Sequence, residues 1–322
     1  MLDLISVGDV KLDTFIVIHD ASVKCELKMP ECKLCINYGE KIPVDAFVTQ
    51  IAGSAPNVAI GLAKMGLDTS VLSHMGEDEV YEQTVHFLKK NKVSSSLIKT
   101  KKGVRSSAAV VLNFKGESTQ LVDFVPQEYH LPSKIPATKF LHICELGDGY
   151  EQLYKDALVQ AKKGVRISLN PGSIQIKEKK RELFDLIAVC EVLFLNMSEA
   201  HALLDRPDDA IHGIISRLKA LGPKYVVVTD GARGAYAYDG EQLDVVPAFP
   251  ASMKEATGAG DAFATGFLGA LIKGKPHREA LRWGSINSAS VIEYVGPTLG
   301  LLSHTEICKL LKSHPSYQTK EM

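Results

Sequence analysis

The 322-residue chain has almost no excess of charge: 37 Lys and Arg stand against 38 Asp and Glu, a formal net charge of -1. With no basic surplus to neutralise phosphates, a general nucleic-acid or membrane-surface binder is excluded. Long apolar runs are lacking too. The best, Leu186 to Leu195, is short and interrupted by Glu191, so nothing reaches spanning length. The start, Leu4-Ile5-Ser6-Val7, reads as a strand and lacks the regions of a secretory leader, so a cytoplasmic location is expected. There is no G-x-x-x-x-G-K-[ST], no G-x-G-x-x-G between a strand and a helix, and no H-E-x-x-H. Those absences disfavour a P-loop kinase, a dinucleotide-dependent dehydrogenase and a helix-borne zinc site. Internal repeats and low-complexity tracts are missing.

What remains is an ordinary globular composition, 45% hydrophobic and 23% charged, long enough for one large domain or a core with a small appendage. Short apolar runs at 4–8, 70–74, 140–144, 166–169, 192–195 and 225–229 alternate with helical patterns at 56–65, 80–90, 150–163, 178–188, 199–204 and 210–220. Such alternation implies βαβ units and an α/β fold with a doubly wound, mostly parallel sheet. Two segments break the rhythm. Residues 14–50 read as strands and turns, and 104–125 read as a hairpin turning at Lys115-Gly116. Together they are expected to form a small antiparallel β-sheet lid, with 1–13, 51–103 and 126–313 as the core. The polar end, 314–322, is expected to fray.

The most informative run is Thr257-Gly258-Ala259-Gly260-Asp261, which opens into the helical spacing Phe263, Phe267, Leu268, Leu271. Free amides and the dipole at a helix start make an anion site, and small residues let a ligand approach the backbone. A carboxylate on that same site would repel a phosphate unless it has chemical work, such as accepting the proton of an attacking hydroxyl. The run therefore points to phosphoryl transfer. Upstream, Gly53 permits a tight entry and Pro56 suits a first helical turn from which Asn57 can reach a hydroxyl, although a helix-capping Asn looks the same in sequence. Asp9 and Asp13 follow the first strand, and Glu145 follows the 140–144 strand. Ligands of open α/β sheets bind at such strand ends. Asn196 and Glu199 share one face of a helix start, where a carboxylate can hold the water shell of a hard cation.

These residues resemble the ribokinase-like (PfkB) carbohydrate kinase family. The resemblance implies Asp261 as catalytic base and the Gly258, Ala259 and Gly260 amides as anion hole. It implies Asp9, Asp13, Gly53, Asn57 and Glu145 around the acceptor, and Asn196, Thr229, Gly231 and Asn287 near the nucleotide. ATP and Mg²⁺ are the implied cofactors, with Glu199 holding Mg²⁺ through water, and a homodimer through the lid is the implied assembly. The chain departs from the family in having Glu255-Ala256 for Asp-Thr, which removes a hydroxyl near any monovalent-cation site. It also has Ser54-Ala55 where ribokinases resemble Lys-Gly, so ribose is not expected as the acceptor.

Arg105 opens the lid hairpin at the position where phosphofructokinases of the family resemble an Arg that contacts a sugar phosphate, and Lys11 offers a second cation. A sugar or phosphosugar acceptor is therefore expected. A nucleoside is the alternative, with Phe15, Phe47 and Phe114 as candidates to face a base, and a non-catalytic sugar or nucleotide sensor is a remoter one. Cys25, Cys32 and Cys35 form Cys-x6-Cys-x2-Cys in the lid. They are candidate Zn²⁺ ligands or plain reduced thiols; zinc would need a fourth donor such as His19.

Overall fold

The computed structural model describes residues 1–25, 32–207 and 209–322, apart from the side chains of Cys25 and Cys32. Among these residues the core is a nine-stranded sheet. From one edge it runs Thr69–Leu72, Leu2–Val7, Thr138–Ile143, Arg166–Leu169, Val192–Asn196 and Tyr225–Thr229, all parallel. Ala235–Tyr238, Leu243–Val246 and Lys320–Glu321 then continue it antiparallel. The parallel strands are buried on both faces, because successive side chains point to opposite sides. Leu4 packs with Val58, Leu62 and Phe267 on one side. Its neighbour Ile5 packs with Leu141, Leu153 and Leu193 on the other. Each such side chain contributes roughly 1.5–3 kcal/mol on burial.

A four-stranded sheet stands beside the core, in the order Glu117–Asp123, Ser107–Phe114, Lys11–Val17, Ala46–Ala52. It is mixed rather than purely antiparallel. The Lys11 and Ser107 strands run parallel, with Lys11 opposite Ser107 and Asp13 opposite Ala109. The reason is topological: both strands leave the core in the same direction, so they meet side by side. The strand of Lys11 thus starts at the core's edge and ends in the lid. A two-stranded ribbon pairs Ser22–Cys25 with Cys32–Cys35.

Two further expectations differ from the structure. The pattern at 178–188 splits into helices Ser173–Glu178 and Arg181–Ile187, with Lys179 between them at φ 48°. The end of the chain does not fray. Lys320 pairs with Val245, Tyr317 donates to the Pro247 carbonyl at 2.7 Å, and Arg282 donates to the Tyr317 carbonyl at 2.9 Å. Tyr317 also meets Phe249 edge to face, at 5.0 Å between ring centroids. One buried aromatic therefore anchors a segment whose composition is otherwise polar.

Two helices carry the central chemistry. Ser54–Lys64 starts after Gly53, and Ala259–Ile272 starts after Gly258. They cross closely because the contact is made of small residues: a β-carbon on Gly61 would lie 2.5 Å from the Thr265 methyl. That close approach fixes where their N-termini, and so Asn57 and Asp261, stand relative to each other.

Candidate active site

Both glycines that open these helices are required by geometry. Gly258 has φ 82°, and a β-carbon there would meet Pro297 at 2.4 Å; Gly53 has φ 121°, and a β-carbon would meet the Asp9 carbonyl at 2.3 Å. Between the helix starts lies a cavity of about 230 Å³, lined on its floor by Lys11, Asp13, Asn57 and Asp261 and on its walls by Glu145, Asn170 and Glu199. Gln120 reaches it from the lid.

Asp261 sits in the first turn of its helix and accepts a 2.8 Å hydrogen bond from the Asn57 amide. Burial pushes its carboxyl above the usual range. The Asn57 and Ser54 hydrogen bonds and the charge of Lys11 oppose the rise, and Glu145 adds to it. The result is a carboxylate that lines a cavity, held by Asn57 and Ser54 and more basic than a surface Asp. Asn57 Oδ1 and Asp13 Oδ1 are buried and have no hydrogen-bond partner among the described residues. Two buried acceptors facing a cavity are an unfilled demand for ligand donors. Burial also lifts Asp13, to about 6, with Lys11 opposing and Glu145 and Glu255 adding to the rise.

The expected anion hole is built in part. The Ala259 N–H donates to the Ala256 carbonyl at 3.2 Å, so it is not free. Among the described residues, no backbone acceptor engages the Gly258 or Gly260 amides. Gly260 lines the acceptor-side cavity and also a second cavity of about 530 Å³. The second cavity is lined by Phe249, Met253, Phe263, Ser285 and Ser288, together with Thr229 and Gly231. Two cavities of different character meet at one residue of the helix start.

Several sequence-chosen residues stand elsewhere. Asp9 lines neither cavity; it lies underneath, accepting from the Tyr129 hydroxyl at 2.7 and 2.9 Å and from the Gly147 amide at 3.2 Å. Burial lifts it to about 6, which the Tyr129 bond counteracts. Its task is to hold the loop that presents Glu145. Arg105 lines neither cavity and pairs with Asp123 along the lid hairpin, both side chains well exposed. Asn287 is fully buried: its amide donates to the Ala262 carbonyl at 2.7 Å, and its oxygen accepts from the Leu302 amide at 2.9 Å. It braces the Asp261 helix and lines neither cavity. Asn196 and Glu199 form a reciprocal helix cap, at 2.8 and 2.9 Å. Glu199 still lines the acceptor-side cavity, and burial with Glu145 and Asp261 nearby raises its carboxyl.

The three aromatics considered for a base do not line the acceptor-side cavity. Phe15 is buried against Ala52 and Val111, Phe47 is exposed, and Phe114 lies under the Lys115 ammonium. For the cysteines, the side chains of Cys25 and Cys32 lie outside the described residues, while Cys35 is a free thiol. Among the described residues no group of three or more His, Cys, Asp or Glu is placed to hold a metal ion, so the zinc reading gains no support. Glu255, read only as a departure, turns out to be structural: it is buried and accepts from the Gly296 amide at 2.8 Å. Sequence reasoning missed Gln120, Pro297, Phe249 and Met253, whose positions follow only from how loops and lid fold over the helix starts.

Residues 14–304 match the pfkB family carbohydrate kinase model. The chain is 27% identical to the cytidine kinase of Thermococcus kodakarensis, over 92% of its own length and 98% of that protein. It is 24% identical to the ribokinase of Bacillus subtilis, over 85% and 92%. Among solved structures it superposes on the Methanocaldococcus jannaschii nucleoside kinase with a TM-score of 0.76 at 23% identity, covering 98% of this chain and 99% of that one. Arabidopsis thaliana ribokinase, solved with ribose and ATP, gives a TM-score of 0.77 at 21% identity, covering 97% and 99%. At those identities the superpositions establish the fold.

Proposed function

The chain belongs to the pfkB carbohydrate kinase family and is an ATP-dependent kinase of a sugar or nucleoside; within that class we propose that its acceptor is a small, uncharged, polyhydroxylated sugar. The observation that carries this reading is the charge of the acceptor-side cavity. Among the described residues, four carboxylates, Asp13, Glu145, Glu199 and Asp261, line it with a single cation, Lys11. A second phosphate would meet that field, and Arg105, the residue that suggested a phosphosugar, is neutralised by Asp123 away from the cavity. Hydroxyls suit the site, because they donate to Asp13 and Asn57 Oδ1 and accept from Lys11.

In this reading Asp261, oriented by Asn57, takes the proton of the attacking hydroxyl, and burial makes it a stronger base than an exposed Asp. The Gly258 and Gly260 amides stabilise charge on the transferred group. The 530 Å³ cavity takes the nucleotide, its apolar walls suiting a base. Glu199 fits a Mg²⁺ held through water. One of its oxygens caps Asn196, and Glu145 and Asp261 crowd it with like charge that a cation would relieve. When bound, Mg²⁺ neutralises charge on the ATP phosphates. The lid sheet would exclude water, and its exposed Phe47 and Leu121 support pairing of two copies through the lid. ATP as donor goes with a cytoplasmic location.

The relatives named as nucleoside kinases support a nucleoside as the second reading. A panel of neutral sugars, sugar phosphates and nucleosides, read by acceptor-dependent ADP release, decides among them. Turnover confined to neutral sugars is expected; selective turnover of phosphorylated sugars or nucleosides refutes the acceptor assignment. Asp261→Asn is expected to lower kcat by a hundredfold or more while ATP still binds.

A further inference from the structure

Among the described residues, one charged group lines the larger cavity. Its walls are glycine, alanine, serine, threonine and apolar side chains, with Glu117 as the sole ionisable residue among the described lining. Glu117 does not come from the core. It is the first residue of the lid strand Glu117–Asp123, directly after the hairpin turn Lys115-Gly116. Among the described residues its carboxylate has no hydrogen bond or ion pair.

The turn that carries Glu117 is fastened to the anion-hole loop. The Ala256 amide donates to the Gly116 carbonyl at 3.1 Å, and the Asn113 amide donates to the Lys254 carbonyl at 3.3 Å. The Asn113 oxygen accepts from the Gly116 amide at 3.3 Å, which closes the turn. Gly116 has φ 90° and lies so close to Met253 that a β-carbon would touch its methyl at 2.9 Å. Glu117, exposed itself, is thereby held next to the Gly116–Ala256 contact and lines the same cavity as Gly260, the residue of the expected phosphate site. Ala248, Phe249, Ala289 and Ile292 in its walls are apolar and suit a base.

An unpaired carboxylate in such a place repels phosphate, so it cannot serve the triphosphate itself. It accepts hydrogen bonds from neutral donors, and the donors that lie between the phosphates and the base of a nucleotide are the ribose hydroxyls. A carboxylate is well matched to them, having two oxygens for two vicinal donors. We propose that Glu117 is a nucleotide-specificity residue, contributed by the lid, that accepts from the 2′- and 3′-hydroxyls of the donor nucleotide's ribose. This rests on reading the cavity as the nucleotide site. It gives the lid hairpin a second role: through Gln120 it faces the acceptor, and through Glu117 it grips the donor.

The test compares Glu117→Gln and Glu117→Ala with the unchanged protein, using ATP, GTP, 2′-deoxy-ATP and 3′-deoxy-ATP in the presence of Mg²⁺. Nucleotide binding is measured directly by calorimetry and turnover by acceptor-dependent ADP release. Loss of charge-assisted hydrogen bonds is expected to weaken ATP and GTP alike by about tenfold. The deoxynucleotides should bind the unchanged protein more weakly than ATP, and the substitutions should cost them less than they cost ATP. The KM for the acceptor should stay within about twofold. If ATP binds the unchanged protein and Glu117→Ala leaves its affinity and the deoxy discrimination intact, the assignment of Glu117 is overturned and the nucleotide cavity stands. If the variants weaken all four nucleotides equally, the residue only supports the hairpin, which also overturns it. If the folded, unchanged protein binds no nucleotide, the reading of the cavity itself fails.

Discussion

A carboxylate can be chosen correctly from sequence and still be given the wrong task. Asp9 and Asp13 look alike after the first strand, yet Asp13 lines the acceptor-side cavity and Asp9 lies beneath it, bound by Tyr129 and Gly147. Asp9 holds its proton more tightly in the fold, near pH 6, than in the unfolded chain, near 3.8. The stability from that protonation is fully present below about pH 3.8 and is lost as the pH rises through about 6. Asp9→Asn removes this titration. Relative to the unchanged protein, the variant should gain on the order of 1–3 kcal/mol between pH 4 and pH 7. Thermal unfolding across that range checks it, and a constant offset contradicts the burial argument. Asp261 was legible because its spacing to the glycines and to the apolar helix is local. The neighbours of Asp9 are more than a hundred residues distant and leave no mark near it in the chain.

At the scale of elements, the strands at 192–195 and 225–229 were legible because short apolar or β-branched runs alternating with helical patterns fit buried strands of a parallel sheet. The parallel pairing inside the lid was not, since the alternation of Lys11, Asp13 and Phe15 says which face is covered and nothing about the partner's direction. Anchoring of the last residues depends on Tyr317 finding Pro247 and Phe249, which composition does not reveal. Asn287 shows the same limit within a helix. Its resemblance-based place near the nucleotide becomes, in the fold, a brace between the helices Ala259–Ile272 and His277–Val291 and the Leu302 backbone. Asn287→Ala leaves a buried carbonyl and a buried amide unpaired, each worth about 1–3 kcal/mol. A fall in stability of about 2–5 kcal/mol is expected, seen in denaturant titration, with nucleotide affinity unchanged in the protein that remains folded. A selective loss of ATP affinity at undiminished stability would restore the ligand-contact role.

For the whole molecule, the exposed apolar residues of the lid bear on assembly. Phe47 is 66% and Leu121 59% exposed, on a sheet that has one face against the core. If two copies pair there, Phe47→Asp should convert the dimer to a monomer in sedimentation and raise the acceptor KM, because each lid would lose its support. A monomeric unchanged protein at micromolar concentration contradicts the pairing. On the proposed reading, Gly260 borders both chambers, so donor and alcohol would meet at one residue of the helix start and the phosphoryl group would pass straight from one to the other. Displacement is then direct: both compounds must be aboard before either leaves, double-reciprocal rate plots intersect, and a phosphorus atom made chiral by isotopes emerges with its handedness reversed.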